Sequence, residues 1–224
     1  MNTPVLRTSI GDFGLQEYHL TLGGRRWTFL HSGAVVTLEQ EAGYLTRGLD
    51  RLPYGVMLWP ASIALAHHLL ARGEQLQGKR VLELGAGTGM PGIIAASFGA
   101  QVLQVDRDQL ALHVCTLNKE RNAVTSVEAR KAEWETFQSD VPFDLILGAD
   151  ILYAPGMHER LREICEQYLA PSGTVLFSDP LRSQSLCMLE TMEANGWDVS
   201  LSTWSVLLED STRSIAVYEA VRGG

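Results

Sequence analysis

The 224-residue chain reads as an α/β protein, doubly wound around a mostly parallel sheet. Three observations predict this class. From residue 79 short apolar runs alternate with longer helical segments. A glycine-rich turn joins the first of these runs to its helix, and the last two strand-like runs follow one another with no helix between them. Alternating β and α segments put helices on both faces of a parallel sheet, and the final pair reads as an antiparallel hairpin.

The elements follow in order. Residues 16–31, QEYHLTLGGRRWTFLH, alternate around Gly23-Gly24 and predict a β-hairpin. Tyr18, Leu20 and Leu22 share a face of its first arm, Trp27 and Phe29 a face of its second. A polar stretch to Pro53 reads as loop, so residues 1–55 are expected to be an N-terminal extension and 56–224 the main domain. Pro60 opens the helix ASIALAHHLLA, which Gly73 and Gly78 close. RVLEL is the first core strand, GIIAASFGA a buried helix ended by Gly99, and QVLQV the second strand. Asp108 is placed to cap the helix QLALHVCTLNKER. TSVEAR and FDLILG are the third and fourth strands. Leu161, Ile164, Cys165, Tyr168 and Leu169 then recur at amphipathic-helix spacing, with Pro171 and Gly173 as the stop. TVLFS is the fifth strand, Ser183 caps the next helix, Asn195-Gly196 closes it, and WDVSLSTWSV and SIAVYEAV form the terminal hairpin.

Composition narrows the function. Hydrophobic residues at 46% and charged residues at 20% suit a protein with a full core. A net charge of −8 argues against non-specific nucleic-acid binding and is compatible with a basic protein partner. Cys115, Cys165 and Cys187 are widely spaced with no Cys-x-x-Cys pair, which reads as reduced thiols rather than a disulfide framework or a zinc site. His67-His68 has no metal-ligand spacing either, so no metal is expected. There is no signal-like start and no run near the ~18 apolar residues of a membrane span, so the expected setting is cytoplasmic, without a membrane partner and as a monomer.

VLELGAGTGMPG carries glycines at 85, 87, 89 and 92. A strand that turns through glycines into a helix brings backbone N–H groups close to a ligand. The second strand ends in Asp106, about 20 residues beyond the start of the loop, where a carboxylate can hold ribose hydroxyls. Gly87 to Gly92 satisfies the dinucleotide pattern G-x-G-x-x-G. Its register is wrong, because the strand ends at Leu84 and the third position counted from Gly85 is Met90. No tyrosine has a lysine four residues on, as a short-chain dehydrogenase requires.

The run Glu83-Leu84-Gly85-Ala86-Gly87-Thr88-Gly89 is similar to that of class I (seven-β-strand) S-adenosylmethionine-dependent methyltransferases. From 56 to 222 the chain resembles the small protein-lysine methyltransferases of that class, whose Asp-x-x-Tyr motif is Asp150-Ile151-Leu152-Tyr153 after the fourth strand. The resemblance implies a Rossmann-like sheet, S-adenosyl-L-methionine as cofactor and S-adenosyl-L-homocysteine as product. Carried residue by residue, it places Trp59 near the cofactor and Gly85, Ala86 and Gly87 in the loop around its amino-acid end, with Glu83, inside the preceding strand, also among the cofactor-binding residues. Asp106 would bind ribose, Trp134 cover adenine, and Ala149 lead into the motif. Asp150 would orient the acceptor amine, with Tyr153 shaping the channel or donating to the carboxylate, and His158 lies within reach of that loop. The implied acceptor is a lysine of a protein; a small-molecule acceptor and a non-catalytic cofactor-binding module are the alternatives. An N6-adenine methyltransferase would show Asn/Asp-Pro-Pro-Tyr, which Asp150 to Tyr153 does not. Ser178-Asp179-Pro180-Leu181-Arg182 is similar to the electron-transfer-flavoprotein branch, Leu145 to Tyr153 to the chaperone branch, so the target protein stays open.

Overall fold

In the computed structural model the described residues are 5–8, 11–22, 24–35, 37 and 54–223. Gly23 and most of the polar stretch before Pro53 lie outside them. Two hairpins come first: β1 (Val5–Thr8) with β2 (Gly11–Gly14), and β3 (Gln16–Leu22) with β4 (Arg25–His31). The first of these is not foreseen in the sequence. In the second, Leu20 faces Trp27 and Tyr18 faces Phe29, as alternation requires. Leu20, Trp27 and Phe29 are buried, whereas Leu22, at the tip, is 48% exposed.

Helix α1 (Pro60–Arg72) has Pro60 in its first turn and an almost wholly buried N-terminal half. Next come β5 (Arg80–Leu84), α2 (Met90–Ser97), β6 (Gln101–Asp106) and α3 (Gln109–Arg121). Asp108 caps α3, its Oδ1 accepting from the Leu110 N–H at 2.9 Å. The chain continues through β7 (Val127–Lys131), β8 (Phe143–Ala149), α4 (His158–Tyr168), β9 (Leu169–Asp179), α5 (Ser183–Ala194), β10 (Trp197–Leu208) and β11 (Ser211–Arg222).

Seven strands form one sheet in the order β10-β11-β9-β8-β5-β6-β7. Ladders among β5 to β9 are parallel, and β11 runs antiparallel to both β9 and β10. This is the Rossmann-like sheet with a reversed terminal hairpin. One face buries Leu65 and Leu69 of α1 and Ile93 and Ile94 of α2, and Trp27 and Phe29 of the N-terminal hairpin join that same core. The other face buries Leu161 and Ile164 of α4 with Met188 and Leu189 of α5.

Two local expectations need correction. Pro171 and Gly173 do not separate helix from strand, because β9 starts at Leu169 directly after α4. The ladder with β8 jumps from Phe143↔Leu169 to Leu145↔Thr174. The intervening residues form a bulge, where a proline without an N–H and a glycine are both tolerated. Nor does Ser183 cap α5: it is the first helical residue, and Arg182, with φ −68° and ψ 144°, holds the N-cap position without a side-chain cap. Among the described residues no helix is long and apolar enough to cross a membrane.

Candidate active site

The chain leaves β5 for β6 and β7 on one side and returns to β8 on the other. The order therefore reverses between β5 and β8, and a crevice opens outside their carboxyl ends. A cavity of about 310 Å³ lies there. Trp59, Gly85, Gly87, Asp106, Trp134, Ala149, Asp150 and Tyr153 all line it. Of the residues expected to hold the cofactor, Glu83 and Ala86 do not.

The glycine loop needs its glycines. Gly85 and Gly87 have φ of 62° and 56°, a region that costs other residues about 1–2 kcal/mol. A Cβ on Gly85 would stand 2.8 Å from Ile151 Cγ2 and 3.4 Å from Trp134 Cζ2, and one on Gly87 3.0 Å from the Gly55 carbonyl oxygen. The loop thus closes against the loop after β8, the turn carrying Trp134 and the turn at Tyr54–Val56. Asp106 fixes it from β6: Oδ2 accepts from the Gly87 N–H and Oδ1 from the Asp108 N–H, each at 2.9 Å. Burial pushes the Asp106 carboxyl above its usual value, with those two N–H donors opposing the rise.

Glu83 sits behind the loop. Its Oε2 accepts from Gln104 Nε2 at 2.7 Å and from the Gly92 N–H at 3.2 Å, and Gln104 also donates to the Gly89 carbonyl at 2.8 Å. Full burial raises the Glu83 pKa to about 8 despite these donors. It ties strand, loop and α2 together from outside the cavity.

The aromatic walls come from three segments. Trp134 lies on a short turn whose carbonyl accepts from Arg160 Nε of α4 at 2.8 Å. Tyr54 stands between two aromatics found in the sequence, with ring centroids 4.7 Å from Trp59 and 6.1 Å from Tyr153. Burial raises the Tyr153 hydroxyl pKa, so it stays protonated at neutral pH. His158 does not line the cavity; its Nε2 donates to the Leu152 carbonyl at 2.9 Å and pins the loop.

Asp150 directly follows β8, with φ 59°, and is 7% exposed. Its N–H donates to the Ser178 carbonyl at 2.8 Å, so the left-handed turn is held by the neighbouring strand. Its Oδ1 lies 2.6 Å from Arg182 Nη1, which also bonds Asp179 Oδ2 at 2.7 Å. Among the described residues no cluster of histidine, cysteine or carboxylate is placed to hold a metal ion.

A family model described as lysine methyltransferase matches residues 50–192. The chain belongs to the lysine methyltransferase family. It is similar to the protein N-lysine methyltransferase METTL21A of Danio rerio, 33% identical over 198 residues, covering 85% of this chain and 88% of that one. A shorter likeness, 36% over 114 residues, links it to the histone-arginine methyltransferase METTL23 of Mus musculus, covering 48% of this chain and 45% of that one. The fold is that of a solved precorrin-6y C5,15-methyltransferase from Geobacter metallireducens, with TM-score 0.60 at 16% identity over 70% of this chain and 87% of that one.

Sequence reading missed three parts of this methyltransferase site. Tyr54 and Gly55 lie at the edge of a polar stretch with no periodicity to flag them. Arg182 was noted within a motif, but its ion pair with Asp150 depends on a turn at Leu181, where φ is 65°. The third is Asn118 of α3. Its side-chain amide accepts from the Leu30 N–H at 2.6 Å and donates to the Leu30 carbonyl at 3.1 Å and to the Thr88 carbonyl at 2.9 Å. Asn122, one turn on, does the same for Thr28 at 2.9 and 2.8 Å. Thr28 and Leu30 are two apart and present the same edge of β4, so α3 receives the hairpin through a ladder of side-chain amides.

Proposed function

We propose that this methyltransferase moves a methyl group from S-adenosyl-L-methionine to the side-chain amine of a lysine in a protein. The observation that carries this reading is the placing of Asp150 and Tyr153 on the same cavity as the glycine loop and Asp106. The residues fit the cofactor: Gly85 and Gly87 present bare backbone to the cavity, a carboxylate lies at the end of β6, and an indole stands beside the loop. Gly85 and Gly87 would hold the amino-acid end, Asp106 the ribose hydroxyls, and Trp134 and Trp59 would cover the remainder. When bound, this group supplies a methyl on a sulfonium sulfur, which keeps the S–C electron pair and becomes the neutral thioether of S-adenosyl-L-homocysteine.

The chain's own task is alignment and exclusion of water. Tyr54, Trp59 and Tyr153 pack against one another on the cavity wall and offer an apolar surface for the alkyl stem of a lysine. Asp150 accepts a hydrogen bond from the incoming amine and fixes the direction of its lone pair. Already paired with Arg182, it acts as a holder of the amine rather than as a strong base. A protein acceptor is supported by the likeness to METTL21A over most of both chains. The shorter likeness to METTL23 makes arginine the second reading. The enzyme is read as a cytoplasmic monomer, with residues 1–55 an extension on a catalytic domain from 56 to 224, and with no nucleic-acid partner.

Incubation of the pure protein with cofactor tritiated in its methyl group and a cell lysate, followed by mass spectrometry of the labelled residue, tests the reading. Label on lysine supports it. Label on arginine favours the second reading, and label on a metabolite overturns both.

A further inference from the structure

Arg182 does not line the cavity, yet it touches the residue that does. Its Nη1 lies between Asp150 Oδ1 at 2.6 Å and Asp179 Oδ2 at 2.7 Å, and its backbone N–H donates to Asp179 Oδ1 at 2.7 Å. All three side chains are withdrawn from water, with exposures of 12% for Arg182, 6% for Asp150 and 0% for Asp179. Leu181 takes a left-handed backbone, φ 65°, immediately before Arg182 turns back across the end of β9. A strained non-glycine residue there, opposite the equally left-handed Asp150, indicates an arrangement held for a purpose beyond closing a turn.

The chemistry of the acceptor shows what that purpose is. A lysine amine must lose its proton before its nitrogen can give a lone pair to a methyl carbon, and its ordinary pKa is about 10.4. A lone buried carboxylate would hold the ammonium form and oppose transfer, while a neighbouring guanidinium disfavours it. We propose that Arg182 is a positioning residue that fixes the Asp150 carboxylate and offsets its charge, so that Asp150 directs the amine without holding a proton on it. This rests on the lysine reading above. The ammonium first gives a proton to water; then a C–N bond forms as the S–C bond breaks, sulfur retains the electron pair, and the positive charge passes from sulfur to the methylated amine.

Other charged groups of the described residues lie around that position. Asp106 and Arg107, at the end of β6, lie close enough to act on Tyr153. Asp108 lines the cavity, as do Glu133 and Glu135 on either side of Trp134 in the chain. Tyr218 of β11 faces Asp179. Among the described residues Arg182 bridges Asp150 and Asp179, so one guanidinium faces two carboxylates.

The test is the pH profile of kcat/KM, with the lysate fraction whose lysine the wild-type protein labels as the probe acceptor. Arg182→Gln should move the rising limb up by about one pH unit or more, losing at least about tenfold at pH 7 and recovering much of it near pH 10. Arg182→Lys should restore most of the profile. Asp179→Asn keeps the Asp150–Arg182 pair and removes one negative charge, so it should move the limb the other way. It also decides the matter alone if Arg182→Gln does not fold. Cofactor affinity by calorimetry should stay within about twofold throughout, since Arg182 acts through Asp150. Equal loss at every pH, or shifts of the same sign in Arg182→Gln and Asp179→Asn, would overturn the proposal while leaving the lysine reading intact. Failure of the wild-type protein to label any protein lysine would overturn that reading, and this one with it.

Discussion

Asn118→Ala should cost the protein about 3–5 kcal/mol of stability, a large part of the ~5–15 kcal/mol a domain of this size possesses. Asn118 is fully buried, and truncation leaves the Leu30 N–H, the Leu30 carbonyl and the Thr88 carbonyl without their partner. Each orphaned group costs about 1–3 kcal/mol, and some relaxation lowers the sum. Asn122 makes the equivalent pair with Thr28 but is only half-buried, so water can replace much of what Asn122→Ala removes; about 1 kcal/mol is expected there. Urea unfolding followed by tryptophan fluorescence measures both, because Trp27 reports on the hairpin and Trp59 and Trp134 on the cavity. Only Asn118 reaches the glycine loop, through Thr88, so Asn118→Ala should also weaken cofactor binding while Asn122→Ala should not. A loss below about 1 kcal/mol for Asn118→Ala, or equal losses for the two variants, would refute the buried amide ladder as the hairpin's anchor.

Other expectations concern single groups in and behind the cavity. Glu83 has a folded pKa near 8 against an unfolded value of 4.5, so the folded chain keeps a proton that the unfolded chain releases. Stability should therefore fall as pH rises from about 4.5 to about 8, by at most about 1.4 kcal/mol per unit, and Glu83→Gln should flatten that slope; identical slopes by calorimetry would exclude Glu83 as its source. Asp106→Ala should weaken cofactor binding by one to two orders of magnitude or more, through lost charged hydrogen bonds worth about 1.5–3 kcal/mol each, and an unaltered dissociation constant would remove the ribose assignment. Asp150→Asn should leave calorimetric cofactor binding in place and lose most transfer, so unchanged turnover would take Asp150 out of the mechanism.

What could be read in advance followed from periodicity and from special backbone. The strand–helix alternation, the antiparallel end and the Asp108 cap each write a repeating or local pattern into the sequence, and the structure reproduces them. Eight of the ten proposed site residues share one cavity because strand ends in such a sheet converge at the order reversal. Glu83 and Ala86 belong to the same motif but point elsewhere, since side chains alternate along a strand and a loop offers its backbone, not every side chain. Asn118 and Asn122 were hidden for the opposite reason: polar residues on a helix look like a solvated face until a strand is found lying against them. The stop at Pro171 and Gly173 failed because a bulge admits the same residues as a loop.

The two outer strands of the sheet differ in how they guard their open edges. On one side β7 reads Val-Glu-Ala-Arg-Lys, and its charges discourage another strand from pairing with it. On the other, β10 runs for twelve residues with Asp198 its only charge, and Leu201 and Leu207 stand 54% and 67% exposed. Among the described residues this long, nearly uncharged border with protruding leucines is the edge least defended against pairing with another strand, so charge placed at Leu201 or Leu207 would guard it at the far side of the sheet from β5 and the glycine loop.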